Sequence, residues 1–227
     1  MNERRKYILY TIIKEHIKTG APVGSSVLVD KYKLDVSSAT VRNEMAELEK
    51  ENYIMQPYTS AGRVPTEKAY NLYLESIAPK KPAEIEMKTL NGLLDNLNES
   101  NYKQLAKEIS KFSGQAVFWA IERHNFYYTG ISNLLQQPEF VHLNNIFAIS
   151  TIIDKMDEII EKIFDELSIG VHTLIGSANP FSNFCSTIIS KYEVDRRTGM
   201  FGILGPLRMN YDKNLSLVTF INEKLNK

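Results

Sequence analysis

Apolar positions recur at helical intervals near the start of the chain. They predict a helix over residues 3–18, which Gly20-Ala21-Pro22 would end. The apolar stripe of this helix consists of Leu9, Ile12, Ile13, His16 and Ile17. A lone histidine on such a stripe is typical of a packing residue, so His16 is not interpreted as a metal ligand.

A second, shorter helix is expected next. It begins at Ser25 or Ser26 and ends near Tyr32, with Ser25 as its N-cap and with Val27 and Leu28 facing inward.

A turn at residues 34–36 leads into a third helix. Ser37 is expected to cap this helix, which extends to about Asn52. Its buried stripe is predicted to be Val41, Met45 and Leu48. A second stripe on another face carries Ala39, Arg42, Asn43 and Ala46.

Prolines and a glycine break the helical pattern after this point. Pro57, Gly62 and Pro65 exclude a continuous helix from Tyr53 to Thr66. The segment is predicted to form a strand at 53–56, a turn at 58–63, a return strand from Val64, and a fourth helix at 67–77 capped by Thr66.

The rest of the chain mixes the helical and the strand pattern. Residues 78–82, rich in proline and lysine, read as a linker. Helices are predicted over 84–113 (with a weak point at Gly92), over 142–167 as two helices meeting near 151–154, and over 213–225; strands are predicted at 117–121, 126–131, 171–175, 186–192 and 200–204.

Composition places the chain among globular proteins. It has 227 residues, of which 43% are hydrophobic, and its 27 basic and 27 acidic residues cancel. Nucleic-acid binding therefore requires a local basic surface. The chain has one cysteine, Cys185, and the start of the chain lacks a signal peptide pattern. We expect a cytoplasmic protein that does not associate with a membrane.

Three helices followed by a strand, a turn and a strand are typical of a winged helix-turn-helix domain, whose third helix enters the major groove of DNA. Arginine pairs bidentately with guanine and asparagine with adenine. A turn rich in hydroxyls, with one glycine and one cation, suits contacts to phosphates. The candidate DNA contacts are Ser38, Ala39, Thr40, Arg42 and Asn43 in the third helix, Tyr58, Thr59, Ser60, Gly62 and Arg63 in the turn, and Arg4 and Arg5 at the start of the first helix. Arg42 and Asn43 by themselves are equally consistent with a solvated helix face. The hydroxyl-rich turn favours DNA binding over this alternative.

Several segments resemble the heat-inducible transcription repressor family, HrcA, over nearly the whole chain. They lie at residues 36–49, 56–66, 130–140, 175–179 and 202–211. The resemblance implies a repressor of chaperone operons that binds an inverted-repeat operator, the CIRCE element, as a homodimer. It also implies the chaperonin GroEL as a co-repressor and a GAF-like C-terminal domain with an inserted dimerisation subdomain.

The chain departs from the family pattern in length. Residues 114–120 are followed almost at once by residues 127–132, whereas the family places further strands and the inserted subdomain between these points. Leu207 also stands where the family usually has threonine. We therefore expect an α+β protein with a winged helix-turn-helix domain at 1–78, a linker or helical connector at 79–113, and a reduced GAF-like antiparallel-sheet domain with flanking helices at 114–227, which dimerises through residues 84–227.

Other motifs do not indicate chemistry. The glycines of 202–206 lack the spacing of a phosphate loop and are interpreted as a tight turn after a strand. Cys185 is interpreted as a buried structural thiol. The acidic residues of 154–165 read as a solvated face, and His124, His142 and His172 are too scattered for a metal site. No cofactor, metal or enzymatic activity is expected.

Two alternatives to the dimeric repressor stay open. In the first, the GAF-like domain binds a small molecule and the DNA-binding domain reports it. Tyr192, Arg196 and Arg197 are the candidates to line such a pocket. In the second, the protein docks on a chaperonin and touches DNA only weakly.

Overall fold

The first unit of the chain, Met1–Ile77, carries the helix-rich pattern seen in the sequence. Its elements are α1 (Glu3–Thr19), α2 (Ser25–Tyr32), α3 (Ser38–Lys50), β1 (Ile54–Met55), β2 (Val64–Pro65) and α4 (Glu67–Leu74). The structure, a computed structural model, describes residues 1–33, 36–140, 143–194 and 196–226. The turn expected at Leu34 and Asp35 lies outside the described residues.

Capping and apolar spacing explain the bounds of the longer helices. The Asn2 side chain accepts a hydrogen bond from the backbone N–H of Arg5, and α1 ends at Gly20 in the left-handed conformation, with φ 68°. The Ser37 side chain accepts a hydrogen bond from the Thr40 N–H, which confirms Ser37 as the cap of α3. The predicted stripe of Val41, Met45 and Leu48 is buried.

α2 begins at Ser25 and ends at Tyr32, as predicted, but its cap and its buried face differ from the prediction. Ser25 is the first helical residue, and Gly24 occupies the N-cap position without a side-chain cap. Leu28 is buried as expected, whereas Val27 is exposed. Val27 lies about 100° around the helix axis from Leu28, outside the narrow stripe that this two-turn helix buries.

A small antiparallel sheet follows α3. β1 pairs with β2 in the register Ile54 with Pro65 and Met55 with Val64. Val23, which precedes α2, forms an isolated bridge with Arg63. The two backbones exchange hydrogen bonds of 2.8 and 2.9 Å, so the turn between β1 and β2 is anchored to the segment before α2.

The second unit, Ala78–Lys227, is built on an antiparallel sheet. Its strands are β3 (Ala116–Glu122), β4 (Asn125–Thr129), β5 (Gly170–Ile175), β6 (Cys185–Val194) and β7 (Arg197–Pro206), in the order β4-β3-β7-β6-β5. Its helices are α5 (Glu84–Leu94), α6 (Glu99–Ser113), α7 (Ile131–Leu135), α8 (Leu143–Asp154), α9 (Met156–Glu166) and α10 (Tyr211–Leu225). The unit is therefore α+β, as expected.

Helices cover both faces of this sheet because side chains alternate along each strand. Phe118 and Ile189 pack with Ile152 and Ile160 of α8 and α9 in one apolar core. On the opposite face, α6 packs against β3 and α10 against β6. Trp119 points to this second face, where it stacks on Phe201 at 4.5 Å between ring centroids.

Two expectations for this unit are corrected. Gly202 and Gly205 lie inside β7 and not in a turn, because a Cβ at Gly202 would lie 2.5 Å from the Phe118 ring and one at Gly205 would lie 2.3 Å from the Gln115 side chain. The strand predicted over 126–131 ends at Thr129, and the short helix α7, which was not predicted, begins at Ile131.

The single cysteine is confirmed as a buried thiol. Cys185 is fully buried at the start of β6, and this burial raises its pKa to about 12. A thiol with such a pKa is unreactive at neutral pH. Within the described ranges, no helix is both long and apolar enough to cross a membrane.

Candidate nucleic-acid interface

The first turns of α3 present polar groups on the side away from the core. Arg42, Asn43 and Ala39 are exposed, and Ser38 and Thr40 are partly buried. The 3.6-residue period that buries Val41 and Met45 directs Ala39, Arg42 and Asn43 outward. α3 therefore has one apolar face that packs on its own unit and one polar face open to a ligand.

Hydroxyl groups link the starts of α2 and α3. Ser25 Oγ lies 3.0 Å from Ser38 Oγ, and Ser37 Oγ lies 2.9 Å from Thr40 Oγ1. These pairs fix the side chains of both helix starts. Each hydroxyl can take part in a further hydrogen bond, because it combines one donor with two acceptor positions.

The turn between β1 and β2 is exposed at its tip. Tyr58, Thr59 and Ser60 are exposed, and Ser60 adopts a left-handed conformation with φ 67°. Gly62 lies against the backbone of Val23, where a Cβ would lie 2.5 Å from the carbonyl carbon. Glycine is therefore needed for the turn to close on the segment before α2.

The structure brings α3, the turn and the start of α2 around one depression of about 320 Å³. Its lining comprises Gly24, Ser25, Ser26, Arg42, Met45, Ser60, Ala61, Gly62 and Arg63. Four of the predicted contacts, Arg42, Ser60, Gly62 and Arg63, thus share one surface, whereas the other predicted contacts are not part of its lining. Gly24, Ser25 and Ser26 line this depression but are not among the predicted contacts, although a glycine and two serines at the start of a helix are a recognisable anion-binding signal.

Carboxylates neutralise three of the four predicted arginines. Arg63 Nε donates to Glu49 Oε2 at 2.9 Å. Arg4 and Arg5 both pair with Glu44, at 2.7 and 2.9 Å. Arg42 is exposed, and no described residue forms a hydrogen bond or an ion pair with its guanidinium.

The second unit contains a separate cleft of about 560 Å³. It is lined by Leu97, Asn98, Glu99, Tyr102, Ile121, Glu122, Asn125, Tyr192, Val194 and Arg197. Two of the three residues predicted to line a small-molecule pocket, Tyr192 and Arg197, are present, and Arg196 is not. Trp119 Nε1 donates to the Tyr192 hydroxyl at 2.7 Å, and burial raises the pKa of Tyr192 above its ordinary range.

The acidic helix α9 pairs with the β3–β4 turn. Arg123 Nη2 lies 2.7 Å from Asp165 Oδ2, and His124 Nδ1 lies 2.7 Å from Glu161 Oε1. Among the described residues, no group of three His, Cys, Asp or Glu side chains could hold a metal ion. His142 lies outside the described residues.

A family model for the HrcA protein C-terminal domain matches residues 34–215, which is most of the chain. The chain belongs to the HrcA family. Among the relatives of this HrcA chain, the heat-inducible transcription repressor HrcA of Clostridioides difficile is 44% identical over 115 residues, which are 51% of this chain and 34% of that protein.

A second relative matches along its whole length. The heat-inducible transcription repressor HrcA of Symbiobacterium thermophilum is 24% identical over 335 positions, covering 100% of this chain and 98% of that protein. This HrcA chain has only 227 residues, so a large internal part of the relative has no counterpart here. The expected shortening agrees with this difference.

A solved structure shares the fold of this HrcA chain. The crystal structure of a hypothetical protein at 2.2 Å resolution aligns with a TM-score of 0.77 and 17% identity, covering 100% of this chain and 98% of that one. At this identity the likeness concerns the fold alone. It is consistent with the GAF-like sheet expected for the second unit.

Proposed function

We propose that this protein is a non-enzymatic, cytoplasmic transcriptional repressor of heat-shock operons whose first unit is a winged helix-turn-helix domain. Residues 1–78 bind double-stranded DNA, and residues 114–227 form the dimerisation and regulatory domain. The observation that carries the proposal is the exposed Arg42, which pairs with none of the described residues, beside Asn43 on a helix whose opposite face is buried. The family membership supports it, since the relatives are named heat-inducible transcription repressors.

The start of α3 would read the bases. A helix fits the major groove, and residues in its first turns reach the base edges. Arg42 can donate two hydrogen bonds to guanine, and Asn43 can pair with adenine. Ala39 and the methyl group of Thr40 suit contacts to thymine methyls, and Ser38 suits a polar contact.

The turn between β1 and β2 would serve as the wing. Its exposed Tyr58, Thr59 and Ser60 would donate hydrogen bonds to phosphate oxygens, and Gly62 keeps the turn close to the segment before α2. Arg63 would add a cation at the base of the wing. The start of α2 at Gly24 to Ser26 lines the same depression and has no side-chain cap, so its backbone N–H groups would favour a phosphate.

An inverted-repeat operator of the CIRCE type requires two reading units. A homodimer supplies them at a spacing of about one helical turn or a multiple of it. GroEL, as a co-repressor, would increase the fraction of active dimer.

A gel-shift titration tests this function. The full chain is titrated against a duplex with a CIRCE-type inverted repeat and against a scrambled duplex of the same composition, with and without GroEL. The repressor is expected to bind the repeat roughly 10³-fold tighter or more, as specific binders do, and GroEL is expected to increase binding. Equal affinity for both duplexes would contradict the proposal. Weak DNA binding with tight GroEL binding would favour a docking module.

A ligand-sensing regulator is the second candidate, because the cleft lined by Tyr192 and Arg197 has the size of small-molecule sites. Trp119, the single tryptophan, lies 5.4 Å from Tyr102 of this cleft between ring centroids. Its fluorescence would report an occupant. A panel of small carboxylates that changes neither this fluorescence nor operator affinity at millimolar concentration would count against this candidate.

A further inference from the structure

A cluster of four charges joins the start of α1 to α3. Arg4 donates to Glu44 Oε1 through Nη2 at 2.7 Å and through Nε at 3.0 Å. Arg5 Nε donates to Glu44 Oε2 at 2.9 Å, and Arg5 Nη1 donates to Glu51 Oε1 at 2.7 Å. Both oxygens of Glu44 are therefore occupied, and Arg5 bridges one carboxylate within α3 and one just beyond its end.

Because Glu44 and Arg5 are largely buried, the charged groups of this cluster must keep their positions relative to one another. The Glu44 side chain is only 9% exposed and the Arg5 side chain 20%, whereas Arg4 is 56% exposed. The hydrogen bonds from Arg5 and then Arg4 lower the pKa of Glu44, so the carboxylate is ionised at neutral pH. A buried carboxylate is tolerated only with its partners in place, so a shift of α3 along or around its axis would leave a buried charge unpaired.

The position of Glu44 connects this cluster to the reading face. Glu44 follows Arg42 and Asn43 directly, and it points toward α1 while they point outward. We infer that Arg5 and Glu44 are positioning residues. They fix the rotation of α3 around its axis and its position along that axis, and thereby the placement of Arg42 and Asn43 against the bases. This inference rests on the proposed DNA-binding function.

The inference changes the role expected of Arg5. Its guanidinium is shared between Glu44 and Glu51, so it acts through α3 and does not bind a phosphate. Arg4 keeps more than half of its side chain exposed and retains access to the DNA backbone. The two adjacent arginines therefore have different roles: Arg5 is a positioning residue, and Arg4 is a candidate contact to the DNA backbone.

The salt dependence of DNA binding and the preference for the operator distinguish a positioning residue from a phosphate contact. Each lost phosphate contact makes the slope of log Kobs against log salt concentration shallower by about 0.9, and it weakens binding to every sequence. A misplaced reading helix weakens binding to the operator only. A residue that contributes only to stability changes neither affinity at a temperature where the protein is folded.

The experiment uses the full chain with Arg5→Gln, Glu44→Gln and both changes together. Affinities for the inverted-repeat duplex and its scrambled version are measured at several salt concentrations, at a temperature where circular dichroism shows every variant folded. Lys50→Gln and Glu47→Gln are the matched controls, because they remove the same charges from an exposed pair at the end of α3. Arg5→Lys keeps the positive charge, but its single nitrogen cannot reproduce the separate hydrogen bonds of Arg5 Nε to Glu44 and Arg5 Nη1 to Glu51. This variant is measured in place of Arg5→Gln if Arg5→Gln does not fold.

We expect Arg5→Gln and Glu44→Gln each to weaken operator binding by about tenfold or more, which corresponds to the loss of one base contact. The affinity for the scrambled duplex and the salt slope should equal those of the unmodified protein. The operator affinity of Arg5→Lys should lie between that of the unmodified protein and that of Arg5→Gln. The double variant should lose less than the two single losses combined. The controls should change nothing.

Two results would overturn the inference while leaving the proposed function intact. One is a parallel loss on both duplexes with a slope shallower by about 0.9, which makes Arg5 a phosphate contact. The other is unchanged operator affinity in all folded variants. If instead the unmodified protein does not prefer the inverted repeat, the proposed function fails first, and the positioning role fails with it.

Discussion

Arg42 differs from its neighbours in the charge that surrounds it. Arg4, Arg5 and Arg63 each lie within 3 Å of a carboxylate oxygen, whereas no described residue pairs with Arg42. An arginine that already has a carboxylate partner must exchange it for a phosphate or a base, which reduces the gain on binding. Arg42 has no such partner to lose among the residues that the structure describes.

Arg42→Ala tests this distinction. If Arg42 contacts a guanine bidentately, its loss should weaken operator binding by about 1–3 kcal/mol and relax the preference at one base pair. Affinities for the operator and for duplexes with single base substitutions provide the measurement. Arg123→Ala, which breaks an exposed ion pair in the second unit, is the control and should leave both unchanged. Intact operator affinity in Arg42→Ala would remove its base-reading role.

At the residue scale, the sequence predicts exposure better than pairing. The helical period correctly assigns Val41, Met45 and Leu48 to the core and Arg42 to the surface. The ion pairs of Arg4 and Arg5 join residues about forty positions apart, so no local pattern contains them. A basic cluster in a sequence is therefore not evidence of a free cationic surface.

The turn between β1 and β2, which we propose as the wing, depends on a contact between backbones. The two hydrogen bonds between Val23 and Arg63 hold the turn against the segment before α2, and Gly62 leaves no room for a Cβ there. This arrangement joins the wing to the start of α2, so the two proposed phosphate-binding elements keep a fixed spacing. The geometry of the proposed DNA-binding surface thus depends on a residue without a side chain.

Gly62→Ala should disrupt this contact. The added methyl group would lie 2.5 Å from the carbonyl carbon of Val23, which belongs to the backbone and cannot rotate away. We expect a loss of about 1–3 kcal/mol in the free energy of unfolding, as for overpacked sites, together with weaker DNA binding. Urea unfolding followed by circular dichroism and gel shifts measures both.

Gly92→Ala is the matched control for this prediction. Gly92 lies inside α5, and no atom is within 4 Å of a Cβ built there. Alanine favours a helix interior over glycine by about 0.5–1 kcal/mol, so this variant should gain stability and bind DNA unchanged. A Gly62→Ala protein as stable as Gly92→Ala would show that the wing is not anchored on Val23.

Element types follow from the sequence where the pattern is long, and fail where glycine or brevity makes it ambiguous. The helices α1, α3 and α10 and the strands β3 and β6 are found close to their expected bounds. The glycines of β7 were interpreted as a turn, because a sequence does not reveal the Phe118 ring that occupies the space beside Gly202. The helix α7 has five residues, too few for a helical period.

The two buried carboxylates of the first unit make its stability depend on pH. Glu15 accepts hydrogen bonds from Lys31 and Tyr32, and Glu44 from Arg5 and Arg4; these bonds lower both pKa values below the ordinary 4.5. A lowered pKa in the folded state contributes stability above the ordinary pKa, and this contribution disappears as the pH falls through the folded-state value.

We therefore expect the first unit to keep this contribution from pH 7 to about 5.5 and to lose it progressively as the pH falls below about 4.5. Urea unfolding at a series of pH values, followed by circular dichroism, measures this. Glu44→Gln should be less stable at pH 7 and should show a flatter decline in acid. Glu75→Gln, at an exposed position of the same unit, is the control. An equally steep decline in Glu44→Gln would exclude Glu44 as a cause.

At the scale of the whole molecule, the proposed function requires a two-fold symmetric dimer that matches the inverted repeat. The internal part that this chain lacks relative to the longer HrcA protein includes, by resemblance, the inserted dimerisation subdomain. The proposed dimer must then form through residues 84–227. We expect sedimentation to give a particle of twice the 26.0 kDa chain mass, and two chains per inverted-repeat duplex.

Inserting about five base pairs between the half-sites turns them to opposite faces of the DNA helix and should abolish cooperative binding of the two chains. A single chain per duplex that is indifferent to this insertion would mean that the shortened protein reads one half-site alone.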